Sequence, residues 1–255
     1  MIISHKYRYV YFELPRTGST TISNELKKHY SGESILHKHA TYYEFRKIAT
    51  DTELTYFTFS NIRNPLDKTV SGFLKLYSYW KERDLSEYNF FVRFILGKKL
   101  EFAKSFNENF FSEFFKRFYF FPYDDWSCLN AKTFEYIRFE RIQEDFTRVL
   151  NLLNIKQIRL LPLINPTLNR QGKDYLSYYQ PEIQDKTKFI FGPYMDKWGY
   201  EFPPSWNYKP SKLAALLLDF INIFRKYYWR HFYNIHIRKN LEYRHKTPPK
   251  NLSLH

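Results

Sequence analysis

The apolar positions of this chain are grouped so as to set out three strand-to-helix junctions. Tyr7 to Leu14 is aromatic and aliphatic except at Arg8 and Glu13, the signature of a strand, and the run breaks at Pro15. A polar loop, Arg16-Thr17-Gly18-Ser19-Thr20-Thr21, then opens a helical pattern. Thr55 to Asn61 alternates aromatic or β-branched residues with small polar ones and predicts a second strand. After Ile62, Asn64 suits an N-cap, Pro65 the first helical position and Asp67 the first turn, so a helix is predicted over 65–81. Thr133 to Arg138 reads as a third strand. Beyond a turn, Ile142, Phe146, Val149, Leu150 and Leu153 fall on one face of an amphipathic helix. Strands that each feed a helix predict a parallel sheet flanked by helices, with ligands bound beyond the carboxyl ends of the strands.

The remainder reads as largely helical. Residues 87–96 and 107–121 are aromatic-rich, and Phe110, Phe111, Phe114, Phe115 and Phe118 recur as the core-facing side of a helix. Residues 98–106 and the turn Pro122-Tyr123-Asp124-Asp125 are expected to be loops on the acceptor side. Residues 165–173 form a polar loop, 213–233 a helix that turns from apolar to basic and aromatic, and 246–255 a disordered tail. The expected organisation is an α/β domain over 1–204, a basic aromatic helical extension packed on it over 205–245, and the tail. The fold class is α/β, a P-loop-like three-layer domain with a central parallel sheet and a helix-rich C-terminal half.

Composition narrows the function classes. At 255 residues there is ample material for one core. The single cysteine, Cys128, excludes an intramolecular disulfide and suits a reducing compartment as a small buried side chain. Polar and charged residues follow closely on Met1-Ile2-Ile3, so no signal peptide is predicted, and the expected setting is cytoplasmic. The longest apolar stretch, Leu213 to Phe224, carries Asp219 and Asn222 and is too short to span a bilayer. Packing of residues 213–233 on the domain or a partner subunit is favoured over peripheral contact with the inner membrane surface. A net charge of +14 draws anionic ligands, nucleic acid and anionic surfaces alike. Aromatics make up 21% of the chain, but they are spread through it instead of clustered into a stacking groove, and no specific nucleic-acid partner is expected.

Chemistry concentrates at the first two junctions. A glycine-containing loop at a helix N-terminus offers N–H groups with no internal partner and a favourable dipole to an anion, here with Arg16 and four hydroxyls added. The Walker pattern Gly-x-x-x-x-Gly-Lys-Ser/Thr is not met. Ser19 follows Gly18, and Glu13 stands where the first glycine belongs. Pro15 to Thr21 instead resembles the 5′-phosphosulfate loop of the sulfotransferases that use 3′-phosphoadenosine 5′-phosphosulfate (PAPS). At the second junction, Arg63-Asn64-Pro65-Leu66-Asp67-Lys68-Thr69-Val70-Ser71 is similar to that family's 3′-phosphate motif, with Arg63 and Ser71 at the binding positions. Lys68 departs from the arginine usual there.

Between the junctions lies His37-Lys38-His39-Ala40-Thr41, which resembles the heparan sulfate 2-O-sulfotransferase subgroup and bacterial relatives carrying His-Ala-Thr. Histidine is poised near neutral pH for taking an acceptor's proton. By resemblance His39 is the general base and His37 a supporting residue. Thr41-x-x-Glu44 is a capping box, so Glu44 is assigned to the helix. Further similarity lies in Asn165 to Lys173, in Tyr178-Tyr179-Gln180-Pro181-Glu182 and in Asp196-Lys197-Trp198-Gly199-Tyr200, and it runs through residues 7–201 overall. Arg170 and Lys173 are candidates to lie over the donor phosphates.

The resemblance implies in-line transfer of a sulfuryl group from PAPS to a hydroxyl of a carbohydrate or glycolipid, leaving 3′-phosphoadenosine 5′-phosphate (PAP). Thr17, Gly18, Ser19, Thr20 and Thr21 would grip the donor while Arg16 neutralises developing charge. Many family members have Lys at the Arg16 position. Arg does not give up its proton, so its role is electrostatic, as in tyrosylprotein sulfotransferases with Pro-Arg-Ser-Gly-Thr-Thr. No His/Cys/Asp cluster has ligand spacing, so no metal is expected. Two alternatives stay open: a P-loop-type nucleotide or sugar kinase, and a non-catalytic basic protein binding nucleic acid or anionic surfaces.

Overall fold

The structure, a computed structural model, describes residues 1–80, 110–162 and 173–231. Its elements in chain order are β1 (Ile2–Ser4), β2 (Tyr9–Phe12), α1 (Ser19–His29), β3 (Glu33–Ser34), α2 (Tyr42–Ile48), α3 (Asp51–Leu54) and β4 (Phe57–Ile62). Then follow α4 (Pro65–Trp80), α5 (Phe111–Phe118), β5 (Glu135–Arg138), α6 (Ile142–Leu152), α7 (Pro181–Trp198) and α8 (Lys212–His231). The chain divides into two compact units. The first holds Met1–Ile62, Asp125–Pro162 and the chain from Ile221, and the second holds Arg63–Asp124 and Leu163–Phe220.

In the first unit five strands form one sheet in the order β3-β1-β2-β4-β5. The three predicted strands are β2, β4 and β5, and they run parallel, with Phe12 opposite Ser60 and Ile62 opposite Arg138. Two short strands extend the sheet beyond them. β1 pairs antiparallel with both β2 and β3. A three-residue strand, Ile-Ile-Ser, does not announce itself in the sequence, and its pairing partners are what make it one.

Strand side chains alternate between faces, and here both faces are covered. Tyr9 and Tyr11 join Ile22 and Leu26 of α1 and Phe146 of α6 in one core cluster. Val10 and Phe12 join Ile3 and Phe45 of α2 in another. Helices therefore lie on both sides of the sheet, the expected three layers. On α6 the predicted inward face is observed, with Phe146, Val149 and Leu150 buried and Ile142 and Leu153 partly so.

Many of the 23 tyrosines are built into the interior, where a phenol ring fills volume and its hydroxyl needs a partner. Tyr9 donates to the Tyr30 carbonyl at 2.9 Å, and the Tyr30 hydroxyl accepts from the Ile158 N–H at 3.0 Å.

The second unit has its own, strongly aromatic core. Phe111, Phe114 and Phe115 of α5 are buried against Phe73 of α4 and Phe191 of α7, and Phe118 is partly buried. Phe110, at the helix start, is exposed. Tyr179 donates to the Leu66 carbonyl at 3.0 Å. Pro181 opens α7 as expected, with Glu182 in its first turn. The turn expected to face an acceptor is largely packing: Tyr123 meets the Phe191 and Tyr194 rings, and Asp124 accepts from Lys197 at 3.3 Å. Residues 87–96, 98–106, 246–255 and the end of the predicted helix beyond His231 lie outside the described residues.

Candidate active site

The loop after β2 is shaped by its backbone. Arg16 and Gly18 are both left-handed, at φ 60° and 79°, a conformation that turns N–H groups toward one concavity. Glycine is required at 18 twice over, because a Cβ there would also lie 2.9 Å from Ile142 Cδ1 and 3.0 Å from Phe139 Cδ2. Thr17 is buried and donates its hydroxyl proton to the Leu14 carbonyl at 2.8 Å, so this side chain braces the turn. Ser19 and Thr21 are buried, while Arg16 and Thr20 are exposed. No side chain among the described residues caps α1 at Gly18, and no acid stands in its first turn. The dipole at this helix start is thus left uncompensated by acids of its own first turn.

A neighbouring strand pins the loop from beneath. Asn61 of β4 donates its amide to the Thr17 carbonyl, and Tyr11 donates to Asn61 Oδ1 at 2.6 Å. Burial pushes the Tyr11 phenol well above its ordinary range, so it stays a donor. Neither Tyr11 nor Asn61 stands out in the sequence as part of a site. The available signal was an amide next to the carboxyl end of a strand that is buried along nearly all its length.

The His37–His39 connection is stitched onto this loop. His39 Nδ1 donates to the Glu13 carbonyl at 2.7 Å, and Lys38 Nζ donates to Thr20 Oγ1 at 2.9 Å. A carbonyl can only accept, so the proton of a neutral His39 sits on Nδ1 and Nε2 carries the lone pair. Burial lowers the His39 pKa; the Glu13 hydrogen bond works the other way, and the Lys38 charge adds to the lowering. His39 is left-handed, at φ 68°, a conformation held only where the surroundings enforce it.

His37 is the opposite case. Its Nε2 meets Glu44 Oε1 at 2.8 Å and its Nδ1 meets the Lys38 carbonyl at 2.7 Å. Two acceptors call for two protons, so the ring is an imidazolium. The hydrogen bond to Glu44 raises its pKa against the effect of burial. Burial alone would raise the Glu44 carboxyl, but bonds from His37 and the Thr41 N–H outweigh it and hold it below the usual range. Glu44 also completes the predicted capping box, accepting from the Thr41 N–H at 2.8 Å. One carboxylate therefore starts a helix and fixes a histidine. The capping signal concealed the second role.

The second predicted grip lies in the other unit. Asn64 Oδ1 accepts from the Leu66 N–H at 2.9 Å, as an N-cap should. Arg63 is buried and paired with Asp67 Oδ2, with both Nε and the terminal nitrogen at 2.8 Å. Lys68 and Ser71 are also buried on α4. Lys173 is exposed just before Asp174, whose carboxylate accepts from the Leu176 N–H at 3.2 Å. Arg170 lies outside the described residues. Among the described residues, no group of three His, Cys, Asp or Glu stands where it could hold a metal ion.

The sequence model of the sulfotransferase family matches residues 1–189, well over half of the chain. The chain belongs to the sulfotransferase family. No curated protein sequence and no solved structure matches it. The matched span of this sulfotransferase contains both predicted grips and the histidine connection.

Proposed function

We propose that the protein is a PAPS-dependent sulfotransferase acting on a hydroxyl of a carbohydrate or glycolipid, with His39 as general base. The observation that carries this reading is the double stitch of the His37–His39 connection onto the loop after β2, through His39 to Glu13 and Lys38 to Thr20. It sets a base with a lone pair beside a loop suited to an anion. PAPS supplies an electrophilic sulfur on a phosphate leaving group.

Around that chemistry each side chain has a defined task. His39 Nε2 takes the acceptor's hydroxyl proton as the new oxygen–sulfur bond forms and the sulfur–oxygen bond to phosphate breaks in line; the proton passes on to solvent. Arg16 and the exposed Lys38 balance charge on the departing phosphate, while Gly18 to Thr21 hold the 5′ end through N–H groups and hydroxyls. Thr17 maintains the turn. Arg63, with its guanidinium oriented by Asp67, and Ser71 take the 3′-phosphate. The exposed Lys173 is a further cation offered to the donor phosphates. His37, kept cationic by Glu44, positions the connection that bears His39.

Calorimetric titration with PAP, ATP and AMP tests the donor assignment. Micromolar binding of PAP that ATP and AMP do not match, and that Arg63→Ala abolishes, is the expected result. Equal binding of all three nucleotides would overturn the reading and leave a kinase or a basic binding protein.

A further inference from the structure

Helix α8 has two unlike sides. Ala214, Leu218 and Asn222 are buried, Arg225 donates to the Asp125 carbonyl at 3.2 Å, and Trp229 meets Trp126 with ring centroids 5.0 Å apart. These positions recur every three or four residues and form the helix's anchored side. Turned away from them is a second stripe at the same spacing: Leu213, Leu216, Phe220, Ile223, Phe224 and Tyr227. All six are exposed, Leu216 at 68% and Ile223 at 64%. Scattered apolar residues on a surface need no explanation, but a continuous stripe along a helix marks an interaction face.

Charge decides what the face fits. By helical spacing Lys212, Lys226 and Arg230 follow one margin of the stripe, with Asp219, the only acid in the helix, among them. A second copy of the chain would bring the same cations to the same margin, on top of a net charge of +14 on each partner. An anionic lipid surface accepts both features, with apolar side chains dipping below the headgroups and cations lying among them. No helix among the described residues is long and apolar enough to cross a membrane, so the contact lies in the interface plane. We infer that α8 docks flat on an anionic lipid surface. The inference does not rest on the donor or acceptor assignments.

Co-sedimentation of the full chain with vesicles tests it. Phosphatidylcholine alone is compared with phosphatidylcholine containing phosphatidylglycerol. The three marginal cations, set against Asp219, predict roughly thirtyfold tighter partition onto the anionic vesicles, weakening as salt is added. Leu216→Asp with Ile223→Asp should lower that partition more than about tenfold while leaving the thermal midpoint and circular dichroism unchanged, because both side chains are exposed. Should that variant fail to fold, Lys212→Gln with Lys226→Gln and Arg230→Gln decides the matter by losing the preference for anionic vesicles. Equal partition onto both vesicle types by the wild type would overturn the inference. So would a dimer in sedimentation velocity, split by the aspartate variant, in a protein that leaves vesicles alone; the stripe would then belong to a second copy.

Discussion

At the scale of single residues, two histidines two positions apart are tuned in opposite directions by what their nitrogens meet. In the proposed base role His39 must be neutral, and burial lowers its pKa below the ordinary 6.5. kcat/KM should therefore rise with pH to a plateau whose midpoint lies below that value. A midpoint above it would remove His39 from the base role. His39→Ala should cost on the order of a hundredfold or more in kcat while leaving PAP affinity unchanged. The His37–Glu44 pair is a stability element instead. His37 is raised above 6.5, so its contribution is full below that pH and is lost as pH climbs through its folded value. Glu44 is lowered below 4.5, so its share is full above that pH and lost as pH falls through its folded value. The pair thus stabilises most between about 4.5 and 6.5. The difference in urea midpoint between wild type and Glu44→Gln should peak in that window, and a difference independent of pH would show that capping alone is at work. The presence of both histidines was legible in the sequence. Their division of labour was read there only by resemblance, and their opposite tuning not at all, because it depends on the Glu44 carboxylate and on the carbonyls of Glu13 and Lys38.

At the scale of elements, β4 serves the loop it runs beside. Asn61→Ala strands the Thr17 carbonyl and the Tyr11 hydroxyl in the interior, which should cost about 1–3 kcal/mol for each buried group left unsatisfied. The checks are the urea midpoint and a raised Kd for PAP. Gly18→Ala should do comparable damage, since a left-handed L-residue costs about 1–2 kcal/mol before the approach to Ile142 and Phe139 is counted. A variant at either position that kept both stability and PAP affinity would show that the loop does not depend on this bracing. The three parallel strands, α4, α6 and the start of α7 could be read from alternation, caps and periodicity, which are local signals. β1 and β3 could not, being three and two residues long and defined by their neighbours. The same holds at the site. The loop and its glycine were visible as a motif, whereas Lys38, Asn61 and Tyr11 belong to it only through contacts that bring distant positions together.

At the scale of the whole molecule, the chain carries its aromatic load in two different ways. The rings of the second unit form a packed cluster, and in the first unit Tyr9 and Tyr11 line one face of the sheet while the Tyr9 and Tyr30 hydroxyls bond to backbone groups. Composition alone cannot tell these from a stacking groove for bases. The discriminating fact is burial, which belongs to the tertiary fold.

Those interior phenols also make the protein's behaviour in alkali a report on its folding. Tyr11 and Tyr179 are held well above 10 by burial, so the folded chain keeps protons that the unfolded chain releases. The sign follows directly: their stabilisation is intact below pH 10 and drains away as pH rises beyond it. Near-ultraviolet absorbance should register one set of tyrosines ionising while circular dichroism holds, and a second set only as it collapses. Phenolate formation completed without loss of helix signal would contradict that coupling. Each late-ionising ring would then be a hydrogen-bonded strut seen to fail, counted by colour instead of by heat.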